Sequence, residues 1–149
     1  MKLEEAIRQR EFRSPEHKLM VHLIYTVSHL LNAISEVTQR YGITRQQYNV
    51  LRILRGQHPG AASINLIKER MMDKMSDCSR LVDRLEVKQL ISRSVCSTDK
   101  RSVDIRITTK GLDLLTEMEP SIGAVEKSFG SLSPADITEF NRLLDQING

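Results

Sequence analysis

No apolar run in this sequence approaches the roughly 18 residues that a membrane-spanning helix needs. The first residues, Met1 to Glu5, show no signal-peptide pattern either, so we expect a cytoplasmic protein. Cysteine is also scarce, since Cys78 and Cys96 are the only two. Two cysteines are too few for a disulfide scaffold, and their spacing matches no zinc site.

The sequence also lacks the motifs that common enzyme classes require. It contains no nucleophile paired with a base, no phosphate-binding loop and no metal-ligand cluster. We therefore expect no enzymatic activity, no cofactor and no bound metal. The 149 residues, of which 40% are hydrophobic and 28% are charged, fit one ordinary folded domain.

The net charge of +3 is small, but the charges are unevenly distributed. Between residues 74 and 110, nine Lys and Arg stand against five Asp and Glu, a balance of +4. From residue 111 onward, two stand against seven, a balance of −5. A basic middle followed by an acidic end indicates a polarised molecule, which fits either a nucleic-acid partner or an ordinary solvated surface.

Helical periodicity predominates in the first half of the chain. Apolar residues recur every three or four positions from about Pro15 to Tyr41, which predicts one long helix. Thr44 opens a second helix, and Gln47 completes its capping box. Ser63 caps a short third helix. After a break, a basic amphipathic helix extends from its expected cap at Ser76 to Leu90.

A β-hairpin follows this basic helix. Ile91 to Val95 and Val103 to Ile107 both alternate apolar and polar residues, which predicts two strands that share one buried face. The connection, Cys96 to Ser102, is too long for a two-residue turn and carries Asp99-Lys100-Arg101 at its tip. Such a helix and finger suit DNA, because the helix fits the major groove and the finger can reach the minor groove.

Two more helices complete a mainly α-helical chain with one small β-hairpin. Thr108 opens the first of them, and Pro120 predicts a kink or a stop inside it. Ser133 caps the second, Pro134 occupies its first turn, and Asp136 favours its N-terminus. The order of the elements is that of a winged helix-turn-helix with additional helices at both ends.

Two stretches resemble the MarR family of transcriptional regulators. Ser76 to Leu85 is similar to that family's recognition helix. Asp99 to Gly111 is similar to its wing, which pairs Asp-x-Arg with an apolar-x-apolar-Thr-x-x-Gly ending. The resemblance covers nearly the whole chain. It implies a single MarR-like domain over residues 1–149, a winged helix-turn-helix over about 44–108, and dimerisation helices over about 15–41 and 109–149.

The resemblance implies distinct roles at the tip of the wing. We expect Arg101 to enter the narrow minor groove, whose negative potential attracts a guanidinium. Asp99 could accept a hydrogen bond from Arg101 and fix its direction. Lys100 is expected to meet phosphate, which adds affinity but little sequence information.

On the recognition helix, the residues expected at the DNA are Ser76, Asp77, Ser79, Arg80 and Arg84. Arg80 either reads guanine or holds a phosphate, and Arg84 is expected to contact the DNA backbone. Asp77 departs from the small hydroxyl residues that are common at this point in the family. It either accepts a hydrogen bond from cytosine N4 or caps the helix, and capping is the favoured alternative.

The resemblance also implies a homodimer, which would favour a near-palindromic site on double-stranded DNA. The wide apolar face of the first long helix supports this expectation. We therefore predict a repressor that a small-molecule effector or chemical signal releases from DNA. His22, Tyr25 and His29 are candidates for the effector pocket, but no carboxylate completes a metal site with them.

Two alternatives to this function stay open. Cys78 and Cys96 could sense oxidants, although the apolar helix position of Cys78 is typical of a buried thiol. The chain could also be a winged-helix protein-interaction module that does not bind DNA. The basic residues Lys100, Arg101 and Arg80 argue against such a module.

Overall fold

Helices make up most of the molecule. The computed structural model describes all residues, 1–149, and contains one two-stranded antiparallel sheet. The elements are α1 (Leu3–Ala6), α2 (Pro15–Arg40), α3 (Arg45–Gln57), α4 (Ile64–Arg70), α5 (Cys78–Val87), β1 (Ile91–Val95), β2 (Val103–Ile107), α6 (Thr109–Glu126), a 3-10 turn (Lys127–Phe129) and α7 (Pro134–Asn148). The predicted mainly α fold with one hairpin is confirmed. None of the helices has the length and apolarity that crossing a membrane requires.

Polar side chains cap the N-termini of most helices at the residues that the sequence predicts. The Thr44 hydroxyl accepts a hydrogen bond from the Gln47 amide at 3.1 Å, and the Gln47 side chain accepts from the Thr44 amide at 2.9 Å. Ser63 and Ser133 accept in the same way at the starts of α4 and α7. These bonds satisfy amides that have no partner inside the helix. The short helix α1 was not predicted.

Helix α6 continues through Pro120 to Glu126, so of the two outcomes expected at this proline, a kink or a stop, the stop is wrong. Proline has no amide to donate to the carbonyl one turn earlier, which weakens the helix at this point. Apolar packing offsets that loss on both sides of the proline. Leu115 and Met118 are fully buried before it, and Ile122 and Val125 pack against the same core after it.

One apolar core lies between the helices and the base of the hairpin. Its most deeply buried side chains come from α3, α5 and β2, with further contributions from α4 and α6. Leu51, Ile67, Leu85, Ile105 and Met118 are among the largest of them. The hairpin is therefore anchored in the core of the domain, and the recognition helix α5 packs beside it.

Only the base of the hairpin is buried. The strands pair in the register Ile91 with Ile107 and Val95 with Val103. The inner pair is buried, whereas Val95 and Val103 are 66% and 38% exposed. The expectation of one buried face along both strands is thus correct at the base and wrong at the outer end, because the outer end projects beyond the core.

The end of α5, the base of the hairpin and the start of α6 meet at one point. The Thr108 hydroxyl accepts from the Gly111 amide at 3.1 Å and donates to the Gln89 carbonyl at 2.8 Å. The Thr108 amide donates to the Leu90 carbonyl at 3.1 Å. A Cβ on Gly111 would lie 2.4 Å from that same Leu90 oxygen. Glycine is therefore required here by close approach of two backbones.

Replacing Gly111 tests this junction. We expect Gly111→Ala to lower the free energy of unfolding by about 1–3 kcal/mol, because the new methyl group meets a backbone oxygen that cannot move aside. Gly123→Ala is the matched control in the same helix, where a Cβ meets nothing within 4 Å. That change should be neutral or stabilise by up to about 1 kcal/mol. Urea unfolding of both variants checks the prediction, and equal effects would contradict it.

Candidate nucleic-acid interface

Helix α5 presents one apolar face to the core and one polar face to solvent. Cys78, Val82 and Leu85 are buried, while Ser79, Arg80, Asp83, Arg84 and Lys88 are exposed, as the sequence predicts. Helix α4 precedes α5 and is joined to it by a short irregular turn. The two helices form a helix-turn-helix whose second helix is free to enter a DNA groove.

The cap of α5 is Asp77, and the prediction that Ser76 caps this helix is wrong. The Asp77 carboxylate accepts a hydrogen bond from the Arg80 amide at 3.1 Å, which confirms the capping alternative for Asp77. The Ser76 hydroxyl is buried and has no hydrogen-bond partner. The helix begins one residue later than expected because a carboxylate is a stronger acceptor than a hydroxyl.

At the tip of the wing, Asp99 organises the backbone. Its carboxylate accepts from the Arg101 amide at 2.9 Å and from the Ser102 hydroxyl at 3.2 Å. The hydrogen bond from Arg101 thus comes from its backbone and does not fix the direction of its guanidinium. The side chains of Lys100 and Arg101 are exposed and form no ion pair within the protein.

Arg93 joins the wing to the recognition helix, and it was not among the site residues predicted from the sequence. The Arg93 guanidinium lies 2.6 Å from the Asp83 carboxylate and 2.8 Å from that of Glu86. Glu86 and then Asp83 raise the pKa of Arg93. The available signal was a pair of acidic residues three apart on the helix, followed by an arginine on the first strand.

Of the three candidate effector residues, His29 lines an open cleft between α2 and α6. The rings of Tyr25 and His29 lie 4.4 Å apart between centroids, and His22 is exposed on the same helix. A cleft of about 330 Å³ lies elsewhere, between α2, α3 and the turn before α5. It is lined by Leu31, Ile34, Arg45, Gln46, Tyr48, Asn49, Arg52, Met71, Met72 and Asp73.

The two cysteines differ in environment. Cys78 is buried in the core, and this burial raises the pKa of its thiol. Cys96 is partly exposed beside the wing tip, with its sulfur 3.2 Å from the Thr98 hydroxyl. The prediction that Cys78 is a buried thiol is therefore confirmed. No group of three or more His, Cys, Asp or Glu side chains is arranged to hold a metal ion.

The sequence of this chain is similar to one family model and to known transcriptional regulators. The model of the MarR family matches residues 43–103. The transcriptional regulator PapX of Escherichia coli is 30% identical over 115 residues, which cover 74% of this chain and 70% of PapX. The regulator MhqR of Bacillus subtilis is 24% identical over 131 residues, which cover 87% of this chain and 89% of MhqR.

Solved structures match over the whole winged unit and the flanking helices. A MarR transcription factor from Planctomyces limnophilus is 28% identical with a TM-score of 0.69, covering 91% of this chain and 99% of that one. MepR of Staphylococcus aureus, solved with DNA, is 24% identical with a TM-score of 0.75, covering 85% and 93%. Bordetella bronchiseptica BpsR, whose DNA binding 6-hydroxynicotinic acid regulates, is 24% identical with a TM-score of 0.73, covering 89% and 99%.

The cap of the recognition helix can be tested by two neighbouring substitutions. Asp77→Ala should lower the free energy of unfolding by about 1 kcal/mol, since the Arg80 amide loses its acceptor, whereas Asp77→Asn should keep most of it. Ser76→Ala should be neutral or stabilising, because it removes a buried hydroxyl without a partner. Chemical unfolding measures all three. A larger loss for Ser76→Ala than for Asp77→Ala would restore Ser76 as the cap.

Proposed function

Since this chain belongs to the MarR family of transcriptional regulators, we propose that it is a homodimeric repressor. It binds a near-palindromic site in a promoter, and a small ligand or chemical signal releases it. Residues 44–108 form the DNA-binding unit, and the helices within 15–41 and 109–149 form the dimer. The MepR complex with DNA supports a DNA-binding role for this fold.

The observation that carries DNA binding is the set of arginines without a partner in the protein. Arg80, Arg84 and Arg101 are exposed, and none of their guanidinium groups forms an ion pair or hydrogen bond. The two arginines of the hairpin strands, Arg93 and Arg106, are by contrast paired with carboxylates. Free guanidinium groups on a helix and a finger are suited to phosphates and base edges.

The roles of the individual residues follow from these positions. Ser79 and Arg80 lie in the first turn of α5 and read base edges, while Arg84 and Lys100 hold phosphates. Arg101 enters the minor groove. Asp77 and Asp99 act indirectly, since one caps the helix and the other shapes the wing tip. The Ser76 hydroxyl is buried, so that residue contributes through its backbone position.

Helix α7 supports the homodimer. It contains no buried residue, although its apolar side chains recur at helical spacing. Phe140 and Ile147 are 47% and 58% exposed, and Ile137 and Leu143 are exposed with them. Helix α2 exposes a similar set, Leu19, Met20, Ile24 and Val27. A second copy of the chain would cover both faces and place two recognition helices about 34 Å apart.

The proposed effector is a small molecule. BpsR supports regulation of this kind, because 6-hydroxynicotinic acid controls its DNA binding. The cleft against Met71, Met72 and Asp73 is one place where a ligand could favour one arrangement of the helix-turn-helix. The Tyr25–His29 pair with His22 is the other candidate. In the thiol-based alternative, Cys96 is the accessible cysteine.

Loss of the free guanidinium at the wing tip should weaken DNA binding. We expect Arg101→Ala to raise the Kd for the promoter region upstream of the gene about tenfold or more at physiological salt. Lys100→Ala should have a smaller effect and reduce the salt dependence by about one ion. Arg142→Ala, which removes an arginine paired with Glu139 on α7, is the control. A mobility-shift titration measures each Kd, and wild-type affinity of Arg101→Ala would refute the wing assignment.

Disruption of the apolar face of α7 should dissociate the homodimer. We expect Phe140→Asp to shift the protein from dimer to monomer, because it buries a charge at the interface. Thr138→Asp adds the same charge on the opposite face of α7 and should remain dimeric. Sizing chromatography with light scattering gives both masses. A wild-type chain that is a stable monomer would contradict the dimeric repressor.

A further inference from the structure

The recognition helix α5 carries as many carboxylates as guanidinium groups. Its cations Arg80 and Arg84 are matched by the anions Asp83 and Glu86. The two carboxylate side chains are 60% and 42% exposed. Unpaired carboxylates on a DNA-binding helix would repel the phosphate backbone. Their position therefore calls for a compensating cation from the protein itself.

Arg93 supplies that cation from the wing. Its Nη2 lies 2.6 Å from Asp83 Oδ1, and its Nε lies 2.8 Å from Glu86 Oε2. A further contact of 3.4 Å joins Nη2 to Glu86 Oε1. The planar guanidinium thus bridges two carboxylates on α5, a geometry that a lysine ammonium does not reproduce. No other ion pair connects the wing with this helix.

The strand position of Arg93 is itself well defined. Arg93 pairs in register with Ile105, which is fully buried and exchanges two backbone hydrogen bonds with Ala62 at 2.8 and 2.9 Å. Farther out, the Val95–Val103 pair is exposed and the loop projects into solvent. The Arg93 bridge is therefore the only ionic contact between the wing and α5, and the wing beyond it has no such support.

We propose that Arg93 is a positioning residue for DNA binding, which sets the angle between the wing and the recognition helix by bridging Asp83 and Glu86. The bridge lets Arg101 and α5 engage the same duplex at once. Arg93 does not touch the DNA, because its guanidinium is occupied by the two carboxylates. This inference rests on the proposed function, since it requires that both elements bind DNA.

A cycle of substitutions tests the coupling between the bridge and the wing tip. Arg101→Ala is introduced into four backgrounds: the wild-type chain, Arg93→Gln, the pair Asp83→Asn with Glu86→Gln, and Arg106→Gln. Each protein is titrated with the same labelled duplex from the region upstream of the gene. We expect Arg101→Ala to raise the Kd about tenfold in the wild-type and Arg106→Gln backgrounds, and about twofold or less in the other two.

Arg106→Gln is the matched control for loss of an arginine in the wing. Its guanidinium bonds only within the hairpin, to Ser94 at 3.4 Å and to Asp104 at 3.5 Å. The paired carboxylate substitutions separate positioning from simple charge. They make the protein more positive, so electrostatics alone predicts tighter binding with an unchanged effect of Arg101→Ala. An equal loss in all four backgrounds overturns the proposal.

Hydrogen exchange of the wing amides in the free protein gives a second readout. Exchange in β1 and β2 should be faster in Arg93→Gln and in the carboxylate pair, and unchanged in Arg106→Gln. Circular dichroism melts check that all variants are folded. If hydrogen exchange in the variants is unchanged while the wild-type chain binds DNA, the positioning role is wrong and the proposed function stands. Absence of DNA binding by the wild-type chain overturns the proposed function, and the positioning role with it.

Discussion

The close approach of Gly111 to the Leu90 carbonyl is the contact that fixes how α5, the hairpin and α6 meet. At this point the end of the recognition helix, the base of the wing and the start of α6 share a few hydrogen bonds centred on Thr108. Lys110 adds one more, to the Lys88 carbonyl at 3.0 Å. Because α6 also packs on α2, this junction links the terminal helices to α5 and the hairpin.

The basic residues between positions 74 and 110 fall into two groups with different structural roles. Arg93, Lys88 and Lys110 are bonded to carboxylates or carbonyls and hold the elements together. Arg80, Arg84 and Arg101 form no ion pair in the chain and are the arginines that we propose to bind DNA. The net charge of +4 between residues 74 and 110 counts both groups together. A small net charge is therefore compatible with a nucleic-acid interface, because the acidic residues that lower the net charge form no ion pair with the second group.

Local patterns predicted most of the fold. Alternation placed both strands, and the caps at Thr44, Ser63 and Ser133 are properties of a few neighbouring residues. The errors arose where distant packing decides the outcome. Core contacts carry α6 through Pro120, and tertiary packing buries the Ser76 hydroxyl, so that the Asp77 carboxylate is the cap. The Arg93 bridge and the cleft beside α3 join separate segments. The spacing of Asp83 and Glu86 ahead of an arginine was the one signal for the bridge, whereas no local pattern indicates the cleft.

The central claim is that α5 and the wing grip one duplex through two grooves in each half of a dimer. Methylation protection tests it most directly, because dimethyl sulfate modifies guanine N7 in the major groove and adenine N3 in the minor groove. We expect two patches of protected guanine N7 about one helical turn apart, each adjoined by protected adenine N3. Protection in a single patch, or in the major groove alone, would contradict it.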